Sequence, residues 1–247
     1  VGYSLERLYD PSALPHFINA EPVLNEVASF VRYTNTYKGD GAATQIFGEV
    51  DSSQLQAILD YHTPGGVGAT RHSAKLTLRH SPEWEKWNGF ASQWKSQVEF
   101  AEFVEENMID ILEPEGAKLL EMVTNFQSNR TVTFASKVNI RNGTIAMTFN
   151  DEEDPKATGQ VGIPQRLTLA LAVYDGEGRE EVHALVRHRV ESGKLRLMIK
   201  IDNAATKKRD AFKRICAAVG AATKVDVLQG SAHSTAGSAR INRSSGY

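Results

Sequence analysis

The sequence predicts an α+β protein in which antiparallel sheets surround a central helical block and a C-terminal helix, flanked by an extended N-terminal arm and a C-terminal tail. Three observations carry this. Apolar residues alternate with polar ones in both the first and the last thirds of the chain, the period of half-buried strands. Between Pro82 and Gln127 the period changes to that of helices, and two helix-start signals mark the change. Asn142-Gly143 then separates two strand-like runs, a strong hairpin signature.

Residues 1 to 22 hold Tyr3, Leu5, Leu8, Tyr9, Leu14, Phe17 and Ile18 among three prolines, without a sustained period, and read as an arm that must bury its apolar groups. Val23, Val27, Phe30 and Val31 fall close to one helix face. Thr44 to Val50 and Leu55 to Tyr61 read as strands, and Ala74, Leu76 and Leu78 alternate with Lys75, Thr77 and Arg79 in a third. Ser81-Pro82 opens a helix. Ser96 with Glu99 forms a capping box opening a second, with Phe100, Phe103, Val104 and Ile111 as its buried stripe. A third helix begins near Pro114 and carries Leu119, Leu120 and Val123.

After the Asn142-Gly143 hairpin, Leu167, Leu169, Leu171 and Val173 alternate in a strand. Val182 to Val190 and Leu195 to Ile201 pair around Ser192-Gly193; a two-residue turn there puts Val190 opposite Leu195 and Arg189 opposite Arg196. A last amphipathic helix carries Phe212, Ile215, Cys216 and Val219, and Val225 to Leu228 adds a strand. The expected division is an arm at 1–22, one α+β domain at 23–228, and a polar tail at 229–247 that contains no acid.

Composition narrows the function. The 247 residues are 41% hydrophobic and 23% charged, with a formal charge of −2, so a polyanion could be bound only through a local basic patch. The single cysteine, Cys216, excludes an intrachain disulfide and a Cys-rich zinc site. No 18-residue apolar run and no signal-peptide pattern occur, so the expectation is a cytoplasmic protein with no membrane partner.

Several segments in order resemble the YfdQ-like family of phage and prophage proteins, a family without an assigned activity. They are Leu59-Asp-Tyr-His-Thr-Pro-Gly65, Ala74-Lys-Leu-Thr-Leu78 running into Ser81-Pro-Glu-Trp-Glu-Lys-Trp87, Phe100-Ala-Glu-Phe103 with Glu113-Pro114, and Gly193-Lys-Leu195. The chain departs from the family's Trp-and-Asp-containing loop, having Gly65-Gly66-Val67-Gly68 there. The resemblance implies a phage-borne accessory protein of the bacterial cytoplasm and no catalytic residues.

Asp60, His62 and His72 flank the glycine loop, where an acid/base or metal site would need them to converge. No H-E-x-x-H spacing supports them, and the alternative is a hairpin end whose histidines are satisfied by backbone. The glycine loop lacks the Gly-Lys-[Ser/Thr] ending of a phosphate loop. No catalytic residue, cofactor or metal is therefore assigned. Trp84, Trp87 and Trp94 cluster around a helix start, a composition that suits base stacking; Trp84 and Trp87, three apart, share a helix face, and the favoured reading is core.

Charge is more informative. Residues 97–155 hold twelve acids against four bases, and residues 187–214 hold ten bases against three acids. The candidate acidic face is Glu99, Glu102, Glu106 and Asp110; the candidate basic face is Arg187, Arg189, Arg196 and Lys200. The first expectation is a non-enzymatic protein that self-assembles into a homo-oligomer, a ring or closed shell, with arm and tail crossing to neighbours. The second is a nucleic-acid-binding protein of phage DNA metabolism using the basic face. The third is a metal-dependent enzyme around His62 and His72.

Overall fold

The computed structural model describes residues 18–39, 43–124, 132–139, 144–151, 158–192 and 194–232; from 132 to 162 it describes backbone alone. The fold is α+β, as the sequence predicts, and its residues group into two compact units. Of the described residues, those up to 78 and from 212 onward form the first, and those from 79 to 211 the second.

The first unit is built on a five-stranded sheet of β1 (Val23–Leu24), β2 (Gln45–Glu49), β3 (Gln54–Ile58), β4 (Ser73–Thr77) and β13 (Val227–Gln229), in the order β1-β4-β3-β2-β13. β2, β3 and β4 are antiparallel, and the register puts Ile46 opposite Ala57 and Leu55 opposite Leu76, so the alternating apolar residues share one buried face. Helix α1 (Val27–Tyr37) buries Phe30 and Thr34, and the second half of α5 (Ala204–Thr223) buries Phe212, Ile215, Cys216 and Val219. Gly48 lets that helix approach β2 closely: a Cβ there would stand 3.1 Å from Cys216 Sγ and 3.2 Å from Val227 Cγ1.

Two features of this sheet were not expected. Its edges are parallel, β1 to β4 and β13 to β2. The inner end of the predicted arm also belongs to it, since Ala20 bridges His72 and the Pro22 carbonyl accepts from the Lys75 amide. The chain from 20 to 24 thus finds its backbone partners in its own sheet. β13 lies where a last strand was expected over 225–228, whereas the two-residue β1 is too short to show a period, which is why the sequence hides it. Residues 1–17 and 233–247 lie outside the described residues.

The second unit holds α2 (Pro82–Phe90), β5 (Lys95–Ser96), α3 (Gln97–Glu106), a 3-10 turn (Met108–Asp110), β6 (Ile111–Glu113) and α4 (Gly116–Thr124). Strands β7 (Val132–Asn139), β8 (Thr144–Asp151) and β9 (Thr158–Pro164) make an antiparallel sheet of their own. The Asn142-Gly143 turn between β7 and β8 lies outside the described residues. Strands β10 (Arg166–Leu171), β11 (Glu180–Glu191) and β12 (Lys194–Ile201) complete a five-stranded sheet in the order β5-β12-β11-β10-β6.

One face of that sheet is core. Leu167, Leu169 and Leu171, Val182, Ala184 and Val186, and Leu195, Leu197, Ile199 and Ile201 are all buried. The helices supply Trp84, Trp87, Phe100, Val104, Leu119 and Val123. The expected capping box is formed, the Ser96 hydroxyl accepting from the Glu99 amide while Glu99 accepts from the Ser96 amide at 2.7 Å. Ile111, expected on the stripe of this helix, is instead buried in β6, because the 3-10 turn at Met108–Asp110 ends the α-helical period first.

The expectation of one domain over 23–228 is a statement about cooperative unfolding, which calorimetry reads as one transition against two. His188 gives unfolding a pH dependence. It follows the inward residues of β11, and burial pushes its imidazole below the usual histidine range. Burial does the same, as the first of several causes, to His80. The unfolded chain takes up these protons near pH 6.5, before the folded chain does. Their contribution is therefore intact above that pH and lost as the pH falls through and below it. The melting temperature should drop between about pH 7.5 and about pH 5.5, and His188→Leu should flatten the drop; an equally steep fall in the variant would contradict the assignment.

Candidate functional site

The candidates around the glycine loop are each engaged in hydrogen bonds. Both oxygens of Asp60 are used, accepting from the amides of Arg71 at 3.0 Å and His72 at 3.1 Å. His62 Nδ1 accepts from the Gly68 amide at 3.1 Å, while His72 is buried with its Nε2 2.9 Å from the Tyr33 hydroxyl. A Cβ at Gly68 would fall on the carbonyls of Asp60 and Tyr61, so the glycine is there for a close turn. Among the described residues no three His, Cys, Asp or Glu side chains group as a metal site. Asp60 and His62 thus hold backbone of the loop, while the His72 ring packs on Tyr33 and Tyr37 of α1.

The acidic face does not assemble as expected. Asp110 is buried, only 3% exposed, and belongs to the interior. Its Oδ2 accepts from the Trp87 indole N–H at 2.9 Å and its Oδ1 pairs with Arg179 at 3.0 Å. Charge counting along the chain could not reveal this, because the two partners are brought in from distant segments. Glu99 is exposed, but its carboxylate is committed to the capping box; the Ser96 hydroxyl, then the Ser96 amide, with Lys95 and Arg196 nearby, hold it below the usual carboxylate range. Glu102 and Glu106 are exposed. Glu102, Glu105 and Glu121 line, together with Val98, Ala101, Met108 and Leu120, a groove of about 540 Å³ between α3 and α4.

The basic face does assemble. The observed register pairs Arg189 with Arg196 and Val190 with Leu195, as the two-residue turn requires, and Ser192 has φ +52°. The residues of β11 and β12 that alternate with the core therefore point to the other side of the sheet. On that side they stand in rows across the strands. Arg166, Leu185 and Lys200 make one row, Arg187 and Met198 the next, and Arg189, Arg196 and Ser96 the third. Successive rows are about 7 Å apart. Arg166, Arg187, Arg189, Lys194 and Lys200 are exposed and Arg196 is half-buried. Glu181 and Glu191, near the two ends of β11, are the acids of that strand on this face.

Opposed like charges cost roughly 0.2 to 1 kcal/mol, and the structure supplies an anion for each arginine of the pair. Glu191 Oε2 lies 3.1 Å from Arg189 Nη2, and Glu99 lies near Arg196. Arg189 also lies over the indole of Trp94, its guanidinium carbon 4.3 Å from the ring centroid. Trp94 is half-buried, whereas Trp84 and Trp87 are wholly in the core. Arg166 and the contact of Trp94 with Arg189 were not expected on this face. The period of Leu167, Leu169 and Leu171 already puts Arg166 on the outward face; nothing in the sequence pairs Trp94 with Arg189.

A family described as uncharacterized conserved proteins, DUF2303, matches residues 2–232. The chain belongs to this family. Its match spans the described residues of both units and carries no assigned activity with it. No curated protein and no solved structure matches the chain. Among the described residues no helix is long and apolar enough to cross a membrane.

Proposed function

We propose that the chain is a non-enzymatic nucleic-acid-binding protein that holds a phosphate backbone against the outward face of the sheet formed by β5, β12, β11, β10 and β6. The observation that carries this reading is the convergence of Arg187, Arg189, Arg196 and Lys200, joined by Arg166, on one open face in adjacent rows. Guanidinium groups bind phosphate oxygens with paired donors, and each neutralised phosphate releases condensed counterions. A chain of net charge −2 needs such a local concentration of positive charge to bind a polyanion at all. A phage- or prophage-encoded protein of the bacterial cytoplasm, which is what the resemblance implies, would meet nucleic acid there. The test is fluorescence anisotropy with a labelled oligonucleotide at low salt. Saturable binding supports the reading, and no change in anisotropy at micromolar protein overturns it.

Self-assembly is the second reading, and one observation favours it. Ile109 is 81% exposed and Val98 and Leu112 are nearly half exposed, apolar side chains that a second copy would cover beside the acid-lined groove. A head-to-tail contact of that acidic groove with the basic face of the next copy would build a ring or closed shell. Light scattering at two salt concentrations separates the readings: a discrete particle much larger than the 27.2 kDa chain without nucleic acid favours assembly.

A further inference from the structure

We infer that Arg189 is a stacking plane for an unpaired base, which makes the basic face selective for single-stranded over double-stranded nucleic acid. This rests on the nucleic-acid reading above and deepens it. The guanidinium of Arg189 is fixed twice. Its guanidinium carbon sits over the Trp94 ring, 4.3 Å from the centroid, and Glu191 accepts from Nη2 at 3.1 Å. The side chain nevertheless stays 44% exposed.

A planar cation held against an indole and still partly exposed is a ready platform for a π-face, and unpaired bases stack on arginine planes as they do on aromatic rings. The ordering cost of the long side chain has already been met by Trp94 and Glu191. Around the platform, Arg187 lies two residues away on the same face and Lys194 pairs with Glu191 across the turn, both exposed and placed for phosphates. A duplex has no free base face to offer, and a broad five-stranded sheet does not enter its major groove as a helix or ribbon does. A single strand can lie along the rows with one base turned onto Arg189.

The experiment uses the full chain with labelled oligothymidylate as the single strand and a mixed-sequence duplex of equal length at the same salt. Wild-type protein should bind the single strand at least tenfold more tightly. Arg189→Lys, which keeps the charge and loses the plane, and Trp94→Leu, which removes the support, should each weaken single-strand binding roughly tenfold while leaving duplex binding unchanged. Tryptophan fluorescence should be perturbed by the single strand in the wild type and not in Trp94→Leu, since the other two indoles are buried. Circular dichroism checks that both variants fold, and Arg189→Lys, a surface change, keeps the test open should Trp94→Leu fail. If neither oligonucleotide binds the wild type, the nucleic-acid reading itself fails. Where binding occurs but Arg189→Lys retains both the single-strand affinity and the preference over duplex, the stacking inference alone is overturned.

Discussion

Replacing Trp87 by alanine should cost the fold about 3–5 kcal/mol, the range for removing a large aromatic from a core. Trp87 is fully buried, meets Phe103 edge to face at 4.9 Å, and donates its indole N–H to Asp110. Asp110 is in turn paired with Arg179, which also lies 3.8 Å from Glu83. The loss should therefore exceed that of Asp110→Asn, which keeps an acceptor for the indole, while Asp110→Ala leaves that N–H unsatisfied and should cost about 1–3 kcal/mol. Urea unfolding of the three variants ranks them directly. A Trp87→Ala loss below about 1 kcal/mol, or an Asp110→Ala protein as stable as wild type, would show that this cluster is not the interior anchor described here.

The largest expected effect on binding comes from reversing two charges of the basic face. Arg187 and Lys200 are exposed, stand in neighbouring rows, and contribute nothing to the buried side of the sheet. The double variant Arg187→Glu with Lys200→Glu should lose at least about a hundredfold in oligonucleotide affinity at low salt, since each reversal removes a phosphate contact and adds a repulsion. Its melting temperature should stay near that of the wild type, because surface substitutions of this kind change stability by about 0.5 kcal/mol or less. A loss of less than about threefold would move the interface elsewhere on the molecule.

What could be read from the sequence follows the range of the interactions that decide each element. The hairpin around Ser192 was legible down to its register, since a period of two and a two-residue turn together leave one pairing. The capping box at Ser96 and Glu99 is a three-residue device and was equally legible. The same hairpin reading placed the four basic candidates on one side of a sheet. Asp110 was misplaced because its burial depends on Trp87 and Arg179, 23 and 69 positions away, and a charge count treats every carboxylate as solvated. Ile111 was misplaced because a helix-breaking 3-10 turn has no strong sequence signal. Edge strand β1, and the parallel pairing of the expected last strand β13, depend on β4 and β2, which they join across long sequence separations. Of the terminal segments, Ala20 to Leu24 turned out to hold their own sheet, while the crossing of arm and tail to a neighbour concerns residues outside the described ones.

The central claim, that the outward face of the sheet grips a phosphate backbone, is tested most directly by the salt dependence of single-strand binding. For a single strand the logarithm of the binding constant falls with the logarithm of salt concentration by about 0.7 for every phosphate neutralised. Four phosphate contacts, through Arg166, Arg187, Arg196 and Lys200, should give a slope of about −3, and replacing Arg187 and Lys200 with alanine should reduce it to about −1.4. A wild-type slope near zero, or a slope that the two replacements leave unchanged, would contradict the account.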